Sequence, residues 1–155
     1  MKNTTDQPVL NRNQFLRTCG ASCLGLSALT FLESCGGAYY AQKPALRDKA
    51  IVVAKTEFQA VTKKGTKIRP YVLVKLENQN FPIYLYRVSD ADYTAVLMKC
   101  SHQGNELSAH DGYLTCSSHG SEFDKTGKVT EGPAEKNLTA YKVTSDAENV
   151  YIQIA

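Results

Sequence analysis

Two short stretches hold the residues best suited to ligate a metal. Cys100-Ser101-His102 and Cys116-Ser117-Ser118-His119 each place a thiol within three positions of an imidazole, and the 13 residues 103–115 separate them. The chain has only five cysteines and three histidines; the other cysteines, Cys19, Cys23 and Cys35, fall in the N-terminal segment. Thiolate is a soft ligand and imidazole a borderline one, so both zinc and an iron–sulfur centre fit this donor set. A zinc site can use the same four residues, although the usual finger order is two cysteines followed by two histidines. The order here is Cys, His, Cys, His. It suits a binuclear centre better, with one iron on the two sulfurs and the other on the two imidazoles. The third histidine, His110, sits in the Ser108–Gly112 turn.

Such a site needs two loops that face one another. Each Cys/His pair follows an apolar run (95–99, then 113–115) and precedes a glycine, Gly104 or Gly120. Between Lys99 and Pro133 lie Gly104, Gly112, Gly120, Gly127 and Gly132, the density of tight loops where backbone approaches something closely. Around this segment the chain alternates and turns often. Runs at 51–54, 71–76, 82–88, 93–99, 138–143 and 149–154 are β-branched, aromatic or apolar, with Asn, Asp, Gly and Ser between them. Short strands with frequent turns predict an all-β, antiparallel sandwich or barrel, the last two runs forming a hairpin-like pair. No helix signal of useful length follows Cys35, and there is no repeat or low-complexity tract.

The chain has 155 residues, 43% of them hydrophobic and 21% charged, enough for one compact domain plus a tail. A net charge of +3 is too weak, and too evenly spread, to argue for nucleic acid. No apolar run reaches the roughly 18 to 20 residues of a membrane-spanning helix. Residues 1–35 read as an export signal. Lys2, Arg12 and Arg17 precede the apolar and small stretch 18–32, which ends at Glu33-Ser34-Cys35-Gly36-Gly37. Asn11-Arg12-Asn13-Gln14-Phe15-Leu16-Arg17 resembles a twin-arginine export motif with Asn13 in place of the second arginine. Leu32-Glu33-Ser34-Cys35 resembles a bacterial lipobox, which implies lipidation at Cys35, with simple cleavage or an uncleaved anchor as the alternatives. Residues 36–50 read as a polar linker, and 51–155 as the functional domain.

CSHQGNEL (100–107) and LTCSSHGSEFD (114–124) resemble the two cluster-binding loops of the Rieske family, and Gly132-Pro133-Ala134 resembles its proline loop. The likeness runs from about Tyr71 to Ile154. It implies a Rieske-like sandwich or barrel with an inserted cluster-binding subdomain of loops. It also implies a [2Fe–2S] cluster on Cys100, His102, Cys116 and His119. The 13-residue separation is short for the family and implies a tight hairpin. Family members in quinol-oxidising cytochrome complexes carry a further cysteine in each loop, joined as a disulfide; Asn105 and Ser118 stand at those positions. In high-potential relatives a serine and a tyrosine donate hydrogen bonds to the cluster; Ser121 matches the first, whereas the second is Phe123, without a hydroxyl. One missing donor implies a potential below the top of the family range.

The function implied is one-electron transfer, in a protein exported to the periplasmic side of a bacterial membrane and attached there through its N-terminus. The expected partner is a cytochrome or membrane oxidoreductase docking at the His102/His119 tip beside Gln103. The alternative is the Rieske subunit of a quinol–cytochrome c reductase, favoured by the export signal, Ser121 and the Gly132-Pro133 loop, and disfavoured by Asn105, Ser118 and Phe123. The ferredoxin of a ring-hydroxylating oxygenase and a zinc-stapled structural domain are further readings.

Overall fold

A computed structural model of the chain describes residues 37–154. The expected export signal, including Cys35, therefore lies outside the described residues. The elements run in the order β1 (Ala45–Arg47), β2 (Ala50–Ala54), a single 3-10 turn (Lys55–Phe58), β3 (Gln59–Thr62), β4 (Gly65–Ile68), β5 (Tyr71–Val74), β6 (Ile83–Arg87) and β7 (Tyr93–Leu97). There follow β8 (Ser108–Ala109), β9 (Tyr113–Thr115), β10 (Glu122–Asp124), β11 (Val129–Glu131), β12 (Ala140–Tyr141), β13 (Val143–Ser145) and β14 (Asn149–Gln153). All the strand pairs formed by these elements are antiparallel, as the sequence predicts.

Three four-stranded sheets form, in the orders β1-β2-β14-β13, β12-β7-β6-β5 and β11-β10-β9-β8, with β3–β4 as a separate ribbon. The middle sheet is apolar on both faces because its side chains alternate. Val72, Val74, Ile83, Leu85 and Ala95 pack with Ile51, Val53, Val150 and Ile152. Leu73, Tyr84, Val96 and Met98, one position out of step, pack with Cys100, Leu107, Leu114, Cys116 and Phe123. A single sheet thus supplies one face to each of two cores. The thiols of the site belong to the second.

The register gives this sheet two distinct ends. Tyr71 faces Tyr86 at one end, and Val74, Ile83 and Leu97 meet at the other. Cys100 follows β7 at the second end, where Met98 N donates to Pro82 O at 2.9 Å. The β3–β4 ribbon leads into β5 at the first end, where Arg69 N donates to Phe58 O at 2.7 Å.

Three sequence expectations need correction. The linker expected over 36–50 is in large part packed on the domain. Tyr40 bridges Leu73 in parallel, and β1 pairs with β2 through Ala45↔Val52, Leu46↔Ile51 and Arg47↔Ala50. Main-chain hydrogen bonds make these contacts, and a polar sequence does not advertise them. The strand expected over 138–143 is divided. Ala140–Tyr141 pairs with β7, whereas Val143–Ser145 pairs with β14, so the chain changes sheets at Lys142. Charge is not evenly spread either. Residues 58–76 carry Lys63, Lys64, Lys67, Arg69 and Lys75 with no acid; residues 100–124 carry Glu106, Asp111, Glu122 and Asp124 with no lysine or arginine.

Candidate metal centre

Two loops with the same backbone plan build the site. In the first, Cys100 N donates to Asn105 O at 2.8 Å and Gly104 N to Cys100 O at 2.8 Å. In the second, Cys116 N donates to Ser121 O at 2.8 Å and Gly120 N to Cys116 O at 2.9 Å. Both loops close through a glycine four residues after the cysteine, with φ of 78° at Gly104 and 80° at Gly120. A left-handed residue there reverses the chain, and glycine adopts that conformation without a Cβ penalty. The histidine offsets differ, +2 in the first loop and +3 in the second. The imidazoles of His102 and His119 nevertheless meet edge to face, with centroids 4.9 Å apart and planes at 86°.

The donors are graded by depth. Cys100 and Cys116 are buried, while His102 and His119 are exposed at the tip. Burial by itself pushes the Cys116 thiol up. Hydrogen bonds from the Ser118 and His119 backbone N–H groups, the Cys100 thiol and the Ser118 hydroxyl outweigh it, and the thiol lies below its ordinary value. The two sulfurs are therefore neighbours in a pocket built for negative charge. The donors stand in two pairs, thiol beside thiol and imidazole beside imidazole. Among the described residues no three or more His, Cys, Asp or Glu are gathered to hold a single ion. Two thiols at one end and two imidazoles at the other match the donor set of a binuclear centre with two protein ligands per iron.

Supporting groups fix the loops. Ser121 is fully buried, and its Oγ accepts Ala134 N at 3.0 Å, which ties the Gly132-Pro133 loop to the second cysteine loop and leaves the serine proton free to donate. The Gly132–Pro133 bond is cis. Ser101 Oγ donates to Lys136 O, so the same third loop also holds the first. Phe123, fully buried, packs in the core that contains both thiols. His110 is not part of the cluster of donors: it stacks on Tyr113 at 4.6 Å, and its Nε2 lies 3.0 Å from Thr115 Oγ1.

Some positioning residues escape a reading of the sequence. Tyr84 donates to His110 O at 2.7 Å and accepts Gly112 N at 3.2 Å; Tyr71 donates to Ala109 O at 3.1 Å and Tyr86 to Asp111 Oδ1 at 3.2 Å. Three tyrosines of the middle sheet thus grip the turn between β8 and β9. They occupy ordinary strand positions, and only the fold reveals what their hydroxyls reach. The Ser118 hydroxyl beside Cys116 is likewise visible only once the loop is built.

The family model described as "Rieske [2Fe-2S] domain" matches residues 48–142. The chain is 36% identical over 55 residues to the cytochrome b6-f complex iron-sulfur subunit of Synechococcus sp. (strain CC9605), covering 34% of this chain and 31% of that one. The subunit of Parasynechococcus marenigrum (strain WH8102) matches with the same identity and coverage. The aligned stretch thus spans about a third of the length of these relatives. Among solved structures, the cyanobacterial plasma membrane Rieske protein PetC3 from Synechocystis PCC 6803 superposes with a TM-score of 0.48 at 25% identity, over 54% of this chain and 86% of that one. The match to the family model covers well over half of the chain, which therefore belongs to the Rieske [2Fe–2S] domain family.

Proposed function

We propose that Cys100 and Cys116 hold one iron of a [2Fe–2S] cluster and His102 and His119 the other, and that the chain is a one-electron carrier. The bound cluster supplies a site that accepts and releases one electron with little rearrangement. The loops supply the rest. They bury the sulfur end, exclude water from it, and leave the two imidazoles exposed as the shortest path to a docking partner. The meeting of His102 and His119 at the surface, on two loops whose thiols are buried, carries this reading. Ser121 directs its proton toward the buried end, while Phe123 offers none, so the potential falls below the top of the family's roughly −150 to +300 mV range.

The partner is a cytochrome or membrane oxidoreductase, met at the His102/His119 tip beside Gln103. The protein acts on the periplasmic side of a bacterial membrane, attached through its N-terminus, with residues 1–35 as signal and Cys35 as the lipidation site. The b6-f relatives favour a place beside a membrane complex, and a quinol–cytochrome c reductase subunit is the second reading; Asn105, Ser118 and Phe123 weigh against it. Electron paramagnetic resonance and iron analysis of the reduced protein test the assignment. Wild type gives the signal of mixed sulfur and nitrogen ligation, and His102→Ala and His119→Ala each lose the iron. Either variant keeping its full iron content overturns the ligand set.

A further inference from the structure

The β3–β4 ribbon is the part of the domain least explained by the cluster. It pairs only with itself, Gln59↔Ile68 through Thr62↔Gly65, and every residue from Val61 to Ile68 is exposed. Val61 on β3 is 89% exposed and Ile68 on β4 45%, a poor use of two β-branched residues in a ribbon that faces only water. By the register both lie on one face of the ribbon. Lys63 and Lys64 form its turn and Lys67 lines its other face. No acid occurs between Glu57 and Glu77. Glu57, at the base, is already engaged by the Tyr39 hydroxyl at 2.8 Å and Gln42 N at 3.1 Å.

The ribbon also has a defined place. It joins the middle sheet at the Tyr71–Tyr86 end, while Cys100 leaves the sheet at the Val74–Ile83–Leu97 end. The first described residues, 37–39, lie at the ribbon's end as well. Tyr40 bridges Leu73 in parallel, so the residues before it run back toward Tyr71, and the Tyr39 ring lies 3.7 Å from the Arg69 guanidinium at the ribbon's base. Basic residues, two exposed apolar side chains and the incoming chain therefore share the end opposite the cluster loops.

We propose that the β3–β4 ribbon is a membrane-docking element that seats the domain on a bilayer of anionic phospholipid, with the cluster loops held at the far end. Lysines beside an anionic surface attract it, and apolar side chains among them enter the headgroup boundary. An acidic protein surface satisfies the lysines but gives no role to a bare valine and isoleucine on one face. The inference stands apart from lipidation at Cys35.

Cosedimentation of the full-length, cluster-loaded protein with vesicles separates the two. Binding to pure phosphatidylcholine reports the N-terminus; the part of the gain on adding phosphatidylglycerol that the ribbon's lysine variants lose reports the ribbon. The expected gain falls with salt and drops roughly a hundredfold in Lys63→Gln/Lys64→Gln/Lys67→Gln, at about fivefold per lysine, while the cluster spectrum stays unchanged. Lys64→Gln alone, in the exposed turn, costs about fivefold and serves if the triple variant is unstable. Val61→Asn lowers binding at high salt more than at low salt. A phosphatidylglycerol gain that is absent, or equal in wild type and the lysine variants, overturns the proposal. So does a variant that binds vesicles normally but exchanges electrons slowly with its redox partner, which makes the ribbon a protein-docking surface.

Discussion

The two cysteine loops are near copies in backbone and unlike in support. Each closes with a Cys N–H to a carbonyl five residues on and a glycine N–H back to the cysteine, at almost the same glycine φ. The first loop is tied at its surface by Ser101 to Lys136 O. The second is backed from within by Ser121 and Phe123, both fully buried. Equal frames with unequal histidine offsets bring the two imidazoles together from opposite loops. The difference teaches that one backbone frame can carry two histidine offsets, whereas only the second loop is backed from within; on the proposed ligand set, that backing is where tuning of the cluster is expected.

Moving a donor within an otherwise identical frame breaks the comparison most severely. His102→Gln with Gln103→His gives the first loop the offset of the second, and iron content is expected to fall to background; full iron loading refutes the offset argument. Next in size is the floor shared by the loops. Leu114 is fully buried in the second core, which also holds both cysteines, and Leu114→Ala is expected to lose about 2–5 kcal/mol in denaturant unfolding. A loss under about 1 kcal/mol means that the two loops do not rest on a common core.

Tuning effects are smaller. Ser121→Ala removes a proton donor that favours the more negative, reduced cluster, so the midpoint falls, by about 40 mV for roughly 1 kcal/mol of differential hydrogen bonding. Phe123→Tyr raises it by a similar amount. Voltammetry checks both signs, and a rise in Ser121→Ala contradicts the proposed direction of its hydroxyl. The smallest effect lies outside the loops. Asp124 Oδ1 accepts Thr126 N at 2.8 Å, the Thr126 hydroxyl at 2.6 Å and Lys128 N at 3.0 Å. Partial burial opposes these bonds, yet they prevail and hold the carboxyl below its usual value. A depressed folded value gives stability that is fully present above about pH 4 and is lost as pH falls through the lower folded value. Acid unfolding of Asp124→Asn therefore shows a shallower decline than wild type below that point.

The chemistry-bearing residues were the most legible part of the sequence. Two thiols and two imidazoles, each pair followed by a glycine, are rare enough in composition to mark loops and a soft-metal donor set before any fold is known. The all-β class followed from short apolar runs between turn residues. What stayed hidden depends on main chain or on partners far away in sequence. The β3–β4 ribbon lacks the alternation of a half-buried strand because no face of it is buried. Residues 138–143 read as one strand because nothing in their side chains marks Lys142 as the place where the chain changes sheets. Tyr84 is an unremarkable aromatic until its hydroxyl meets the His110 carbonyl from 26 positions away.

The parallel bridge of Tyr40 to Leu73 has a mechanical consequence. Leu73 N donates to Tyr39 O and Ala41 N to Leu73 O, both at 2.8 Å, so tension on the chain ahead of Tyr39 pulls along the axis of β5. The two bonds are loaded together in shear instead of being peeled open one at a time. The load enters at Leu73, within the sheet, and Cys100 and Cys116 stand beyond the sheet's other end, off the line of force. Force applied at Tyr39 would therefore leave the cysteine loops undistorted.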